Sequence, residues 1–179
     1  MCCYVFFLRY GTMYRTAIQE YKASYFRERS SLSLFTRYMI AIINNCDRFE
    51  ELSQNMKARW WKSGHHEAEG AGKFEMLLKT FQEIRQESVH YLLDEAFLDI
   101  ESYFSDLITP KWQSGSQAVD TICITLNDYF EDYQFLKKSN FELVINCAQD
   151  RVARKYIAAM LQVHFNFFKC CIVAQTPIF

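Results

Sequence analysis

The chain is poor in the residues that turn a polypeptide, with 5 glycines and 2 prolines among 179 residues. A sandwich or barrel of short strands needs a turn about every 8–12 residues, so that architecture is disfavoured and long helices are expected. Charge of one sign is also lacking: 20 Lys and Arg face 21 Asp and Glu, a net of −1. No basic field exists to neutralise phosphates, so nucleic acid is not an expected partner, and anionic lipid exerts no strong pull. Long hydrophobic runs are missing too. The opening MCCYVFFL is short and has no basic stretch before it, and the late FNFFKCCIVA is interrupted by Lys169. Neither is long enough to span a bilayer or to act as a secretory leader. Nor do the 7 cysteines read as a disulfide framework. Their number is odd, and Cys2–Cys3 and Cys170–Cys171 are adjacent pairs at the two ends, so reduced thiols in the cytoplasm are expected.

What is present is grease at helical spacing. Hydrophobic residues make up 50% and aromatics 17%, led by 16 Phe and 11 Tyr, far too apolar for disorder. Residues 12–29 predict a first helix with Met13, Ala17, Ile18, Tyr21 and Tyr25 on one face. A second helix is marked by Phe35, Met39, Ile42, Cys46 and Phe49 at alternating steps of four and three. Leu52, Met56 and Trp60 extend it, while Glu50, Gln54 and Lys57 fall on polar faces. Residues 63–72, SGHHEAEGAG, read as a loop. A third helix is predicted over residues 73–108, with a stripe from Phe74, Leu77, Phe81 and Ile84 through Leu92, Leu93, Ala96, Ile100, Phe104 and Leu107. The polar patch at residues 86–88 is a place where it could bend. Pro110 ends it, because proline denies its predecessor a comfortable helical conformation.

Ser114 and Gln117 have capping-box spacing before a fourth helix whose stripe is Val119, Ile122, Leu126, Tyr129 and Tyr133. Ser139 and Glu142 repeat that spacing before a fifth, with Phe141, Ile145, Ala148, Val152, Tyr156, Ala159 and Met160 on its apolar face. Cys46, Cys123 and Cys147 fall on apolar faces, where cysteine behaves as a small hydrophobe. The expected fold is all-α, an antiparallel helical bundle.

Residues that could carry chemistry are few. Glu87 and His90 form Glu-x-x-His, half of a di-iron ligand set, but no second copy exists; His164 has Leu161 three residues before it. Adjacent His65, His66 and Glu67 sit in the glycine-flanked loop, where neighbouring histidines rarely converge on one ion. Asp94–Glu95, Asp128 and Glu131–Asp132 read as solvated helix faces rather than acid–base pairs, which need a pocket to push their pKa values apart. No glycine-rich phosphate loop or nucleophile signature accompanies them. No catalytic, cofactor or metal residue is therefore assigned, and no small-molecule substrate is expected. The terminal cysteines could be acylated, but the basic flank that usually supports this is missing. Trp60 and Trp61 could anchor a partner, though the stripe position of Trp60 favours packing.

Four stretches carry a family resemblance: YMIAIINNC at residues 38–46, LLDEAFLDIE at 92–101, KWQSGSQAVDTICITLNDYFEDY at 111–133 and RVARKYIAAMLQ at 151–162. In this order and spacing they resemble the carboxy-terminal half of the Sec-six subunit family of the exocyst, also called exocyst complex component 3. The resemblance implies stacked helical bundles forming part of an elongated rod in a vesicle-tethering complex. It also implies other exocyst subunits and SNARE proteins as partners, indirect association with the plasma membrane, and a cytoplasmic scaffold acting at sites of exocytosis. No catalytic residue carries over. The region of resemblance is expected at residues 12–162, between an atypical apolar end (1–11) and an atypical tail (163–179). Those ends are read as translated intron or mis-joined exon on a fragment of a longer subunit. Alternatives are a paralogue of the tumour-necrosis-factor-induced or component-3-like group, a metal-dependent helical-bundle enzyme resting on Glu87 and His90, and a membrane-associated adaptor using the terminal cysteines and phenylalanines.

Overall fold

A computed structural model describes residues 2–29, 34–64, 68–109 and 115–173, with side chains placed at residues 9–29, 34–64, 70, 72–109 and 115–162. Among the described residues there are five α-helices, one short 3-10 turn and no strand. The helices are α1 (Cys2–Arg27), α2 (Phe35–Lys62), α3 (Ala68–Asp106), α4 (Gln117–Asp132) and α5 (Lys138–Val173), with the 3-10 turn at Tyr133–Phe135 before α5. This is the all-α bundle class expected from the scarcity of breakers.

Several boundaries differ from expectation, each for a local reason. The first helix begins at Cys2 rather than residue 12, so the apolar opening is helical. Helix α3 begins at Ala68, inside the predicted loop, and takes Gly70 and Gly72 into its first two turns. Gly70 belongs there because its Cα lies against the Trp60 indole, and a Cβ would collide with the ring. Ser63 and Gly64 make the turn, Gly64 at φ 87, while His65, His66 and Glu67 fall outside the described residues. The patch at residues 86–88 leaves α3 continuous. Ser88 is fully buried, but its hydroxyl donates to the Ile84 carbonyl at 2.8 Å, so no partner outside the helix is needed. The 39 residues of α3 extend about 58 Å at 1.5 Å each. It stops two residues before the predicted end, and Ile108 adopts φ 62, an uncommon conformation for a β-branched residue.

The capping box predicted at Ser139 does not form. Ser114 lies outside the described residues, and Gln117 is the first residue of α4, whereas a box would place it third. Ser116 is the N-cap, and its hydroxyl donates to the Asp120 carboxylate at 2.6 Å instead of accepting a backbone amide. Ser139 is already inside α5, whose first backbone bond runs from the Phe141 N–H to the Lys137 carbonyl.

The chain divides into two compact units. The first comprises Met1–Leu92 with Phe135–Phe141; its buried residues include Ile18, Phe35, Met39, Ile43, Leu77, Phe81, Ile84 and Leu92. Ring packing ties its helices together. Tyr25 of α1 stacks on Phe35 of α2 at 4.3 Å between centroids, and Phe49 of α2 stacks on Phe81 of α3 at 4.8 Å. The second unit comprises Leu93–Gln134 with Glu142–Phe179 and buries Leu93, Phe97, Ile100, Phe104, Ile122, Tyr133, Val144 and Ala148.

The expected stripes are rotated in places. On α2, Ile43 is buried rather than Ile42, and Leu52 is exposed. Val119 is exposed on α4, as is Cys123; Tyr156 and Met160 are exposed on α5. Glu50, expected on a polar face, is buried in the first unit.

Candidate interaction surface

In the first unit a polar cluster joins α2, α3 and the start of α5. Asn44 accepts the Lys137 N–H at 3.0 Å and the Asn140 amide at 3.2 Å on one oxygen, and its own amide donates to the Phe135 carbonyl at 3.0 Å. Arg85 pairs with Asp47 and with Glu50, each at 3.3 Å, and Lys137 pairs with Asp47 and Glu51. Desolvation raises the Glu50 pKa despite the lowering field of Arg85. Burial likewise pushes the Cys46 thiol up to about 12, with the Glu50 charge adding to the effect. A thiol held in that state is a poor nucleophile.

The residues singled out from sequence are mostly occupied by structural partners. Both Glu87 oxygens accept from Arg15 of α1, while His90 is exposed. Among the described residues no group of three metal-ligating side chains converges. In the second unit Asp94 accepts from Arg151 at 2.7 Å, and the Arg151 guanidinium also lies 4.5 Å over the Phe97 ring. Asp99 accepts from the Tyr129 hydroxyl, and Glu101 from Lys155. Glu95 is buried; with burial, its charge pushes the Tyr133 phenol well above its ordinary range. Asp128, Glu131 and Asp132 are exposed, and Glu131 accepts from Asn127 four residues away. The Arg15, Arg151, Tyr129 and Lys155 pairings each join two helices. Trp60 packs against Phe74 and Gly70, as its stripe position implies, and Trp61 is half exposed.

What remains is apolar surface without a cover among the described residues. Between α1 and α2 runs an open groove of about 530 Å³. Helix α1 contributes Tyr14, Ala17, Ile18 and Tyr21, and α2 contributes Tyr38, Ala41, Ile42 and Asn45. Both sets follow steps of three, one and three, so each helix gives the groove one contiguous face. Burial pushes the Tyr14 phenol up to about 12, against a hydrogen bond from Asn45. In the second unit, Tyr156, Ile157, Met160 and Leu161 make an exposed patch on α5. Sequence reasoning placed Ala17, Ile18 and Tyr21 on one face; Ile18 is buried at the base of the groove and Ala17 is exposed along it. Periodicity gives the apolar face of a helix without saying what covers it.

No helix among the described residues is long and apolar enough to cross a membrane. The family model described as exocyst complex component Sec6 matches residues 2–173, taking in the apolar opening and most of the segment after Gln162. Among curated relatives, exocyst complex component 3 of Drosophila melanogaster is 47% identical, over 85% of this chain and 20% of its own length. Exocyst complex component 3 of Caenorhabditis elegans is 28% identical, over 82% of this chain and 21% of its own length. The chain thus spans about a fifth of the length of these relatives. No solved structure matches it.

Proposed function

The chain belongs to the exocyst complex component Sec6 family, and on that footing we propose that it is a non-enzymatic helical scaffold segment of a vesicle-tethering complex. It acts by holding a fixed shape and by presenting helix faces to other exocyst subunits and to SNARE proteins, in the cytoplasm and at the plasma membrane. The observation that carries this reading is the family match over residues 2–173. The physical character of the chain supports it. Long helices are locked by ring stacks and inter-helix ion pairs, Glu87 and Asp94 are engaged in those pairs, and exposed apolar faces remain on α1, α2 and α5. Apolar faces with helical spacing are what helix-in-groove recognition uses.

The test is affinity purification of the tagged subunit from its source, with mass spectrometry of what co-elutes. Co-elution of the remaining exocyst subunits in comparable amounts is expected, with SNARE proteins in smaller amounts. A preparation that carries none of them would overturn the reading. Addition of purified SNARE protein to the isolated subunit separates direct docking from docking through another subunit.

A further inference from the structure

Helix α2 carries a second pattern beside the groove. Arg37, Arg48 and Arg59 recur at eleven-residue intervals, which is three turns, so they line up along one exposed face about 16 Å apart. Arg37 stands one turn before Ala41 and Arg48 two turns after it, which puts both on the outer rim of the groove on its α2 side. None of the three makes an ion pair among the described residues. The carboxylates of α2 are engaged by other cations: Asp47 and Glu50 pair with Arg85, and Glu51 pairs with Lys137. On the opposite rim α1 presents Met13 and Ser24 with the exposed Arg9, Glu20 and Arg27. The groove therefore combines an isoleucine floor, tyrosine walls, two alanines that let a backbone come close, and a rim on which exposed arginines outnumber carboxylates.

From this combination of apolar floor and cationic rim we infer that the α1–α2 groove is the seat of an acidic amphipathic helix from another subunit of the assembly. The inference rests on the scaffold reading and deepens it by naming the face and the partner's chemistry. The occupant carries apolar residues in steps of three and four against Ile18 and Ile42. Its carboxylates lie along one flank, so that they meet Arg37 and Arg48 when the apolar face is down. The same arginines exclude a basic helix, since like charges held together at a desolvating interface repel.

The test uses the full-length subunit in its assembled complex, with a photo-crosslinking phenylalanine analogue at Ala41. The expected adduct maps to a segment of another subunit with acidic residues on one flank of an apolar helical face. An adduct within the same polypeptide, an adduct to a second copy, or no adduct overturns the inference. Arg37→Glu with Arg48→Glu is expected to lower the yield at least tenfold with helical content unchanged, and lysines in place of the partner's flanking carboxylates are expected to restore it. Unchanged yield in the double variant overturns the inference as well. Co-purification of the remaining subunits with the unmodified chain is measured in parallel. If they co-purify and no adduct forms, the groove inference alone falls; if they do not, the scaffold reading falls with it.

Discussion

The side chain of Asn44, in the middle of α2, takes the backbone N–H of Lys137 at 3.0 Å and so caps a helix 93 residues further along the chain. A helix N-terminus leaves four amides without internal partners, and side-chain oxygens usually satisfy them from within three residues. Here a distant helix does it. The same Asn44 amide holds the Phe135 carbonyl of the 3-10 turn, so one side chain fixes both the approach to α5 and its first turn.

Asn44→Ala is therefore expected to cost about 1–2 kcal/mol, the range for a lost cap with polar groups left unmatched. Urea denaturation followed by circular dichroism reads this directly. Ser139→Ala, at the position where sequence spacing suggested a cap, is expected to change the stability by less than about 0.5 kcal/mol.

Phe35 is fully buried against Tyr25 of α1, with Phe26 edge-on at 5.5 Å. Phe35→Ala opens a cavity on three aromatic neighbours and is expected to destabilise by about 3–5 kcal/mol in the same assay, while Phe35→Leu loses less than half of that. Equal losses for the two would show that the ring stack, which leucine also lacks, outweighs the filled volume.

Glu50 predicts a pH dependence. Desolvation raises its pKa in the fold, so the folded state holds a proton more tightly than the unfolded chain. Stability from this group is full below the unfolded carboxylate pKa and declines as pH rises through the raised folded value. Glu50→Gln is expected to flatten stability against pH above about 4.5, because Gln keeps the shape without the charge while Arg85 retains Asp47. Thermal midpoints of both proteins between pH 4.5 and 7.5 decide the matter. Parallel curves would mean that Glu50 does not titrate in that window.

The cysteines are expected to separate by reactivity. Cys123 is exposed, while the Cys46 thiol is buried and held up to about 12. At pH 8 only about one part in ten thousand of Cys46 is thiolate, against a larger share for an unperturbed thiol. Iodoacetamide labelling read by peptide mass spectrometry is expected to modify Cys123 first and Cys46 only on unfolding.

The α5 patch of Tyr156, Ile157, Met160 and Leu161 is expected to drive self-association of the isolated chain. Ile157→Glu with Leu161→Glu should shift light scattering toward monomer and leave helical content unchanged.

Sequence alone determined that this chain is helical and where most of its helices lie. Few breakers and apolar residues at steps of three and four leave little else for it to be. The stripe of Leu77, Phe81 and Ile84 was legible, and so was the resemblance in residues 38–46, 92–101, 111–133 and 151–162, because both are written in consecutive residues. Tertiary structure decided the rest. Glu50 is buried because Arg85 waits across from it; Gly70 sits in a helix because Trp60 leaves no room for a Cβ; Asn44 caps α5 from 93 positions away. It also decided that the α1 stripe of Ala17, Ile18 and Tyr21 lines an open groove. Periodicity records which way a side chain points along its own helix, and only the packed fold supplies, or withholds, the surface that meets it.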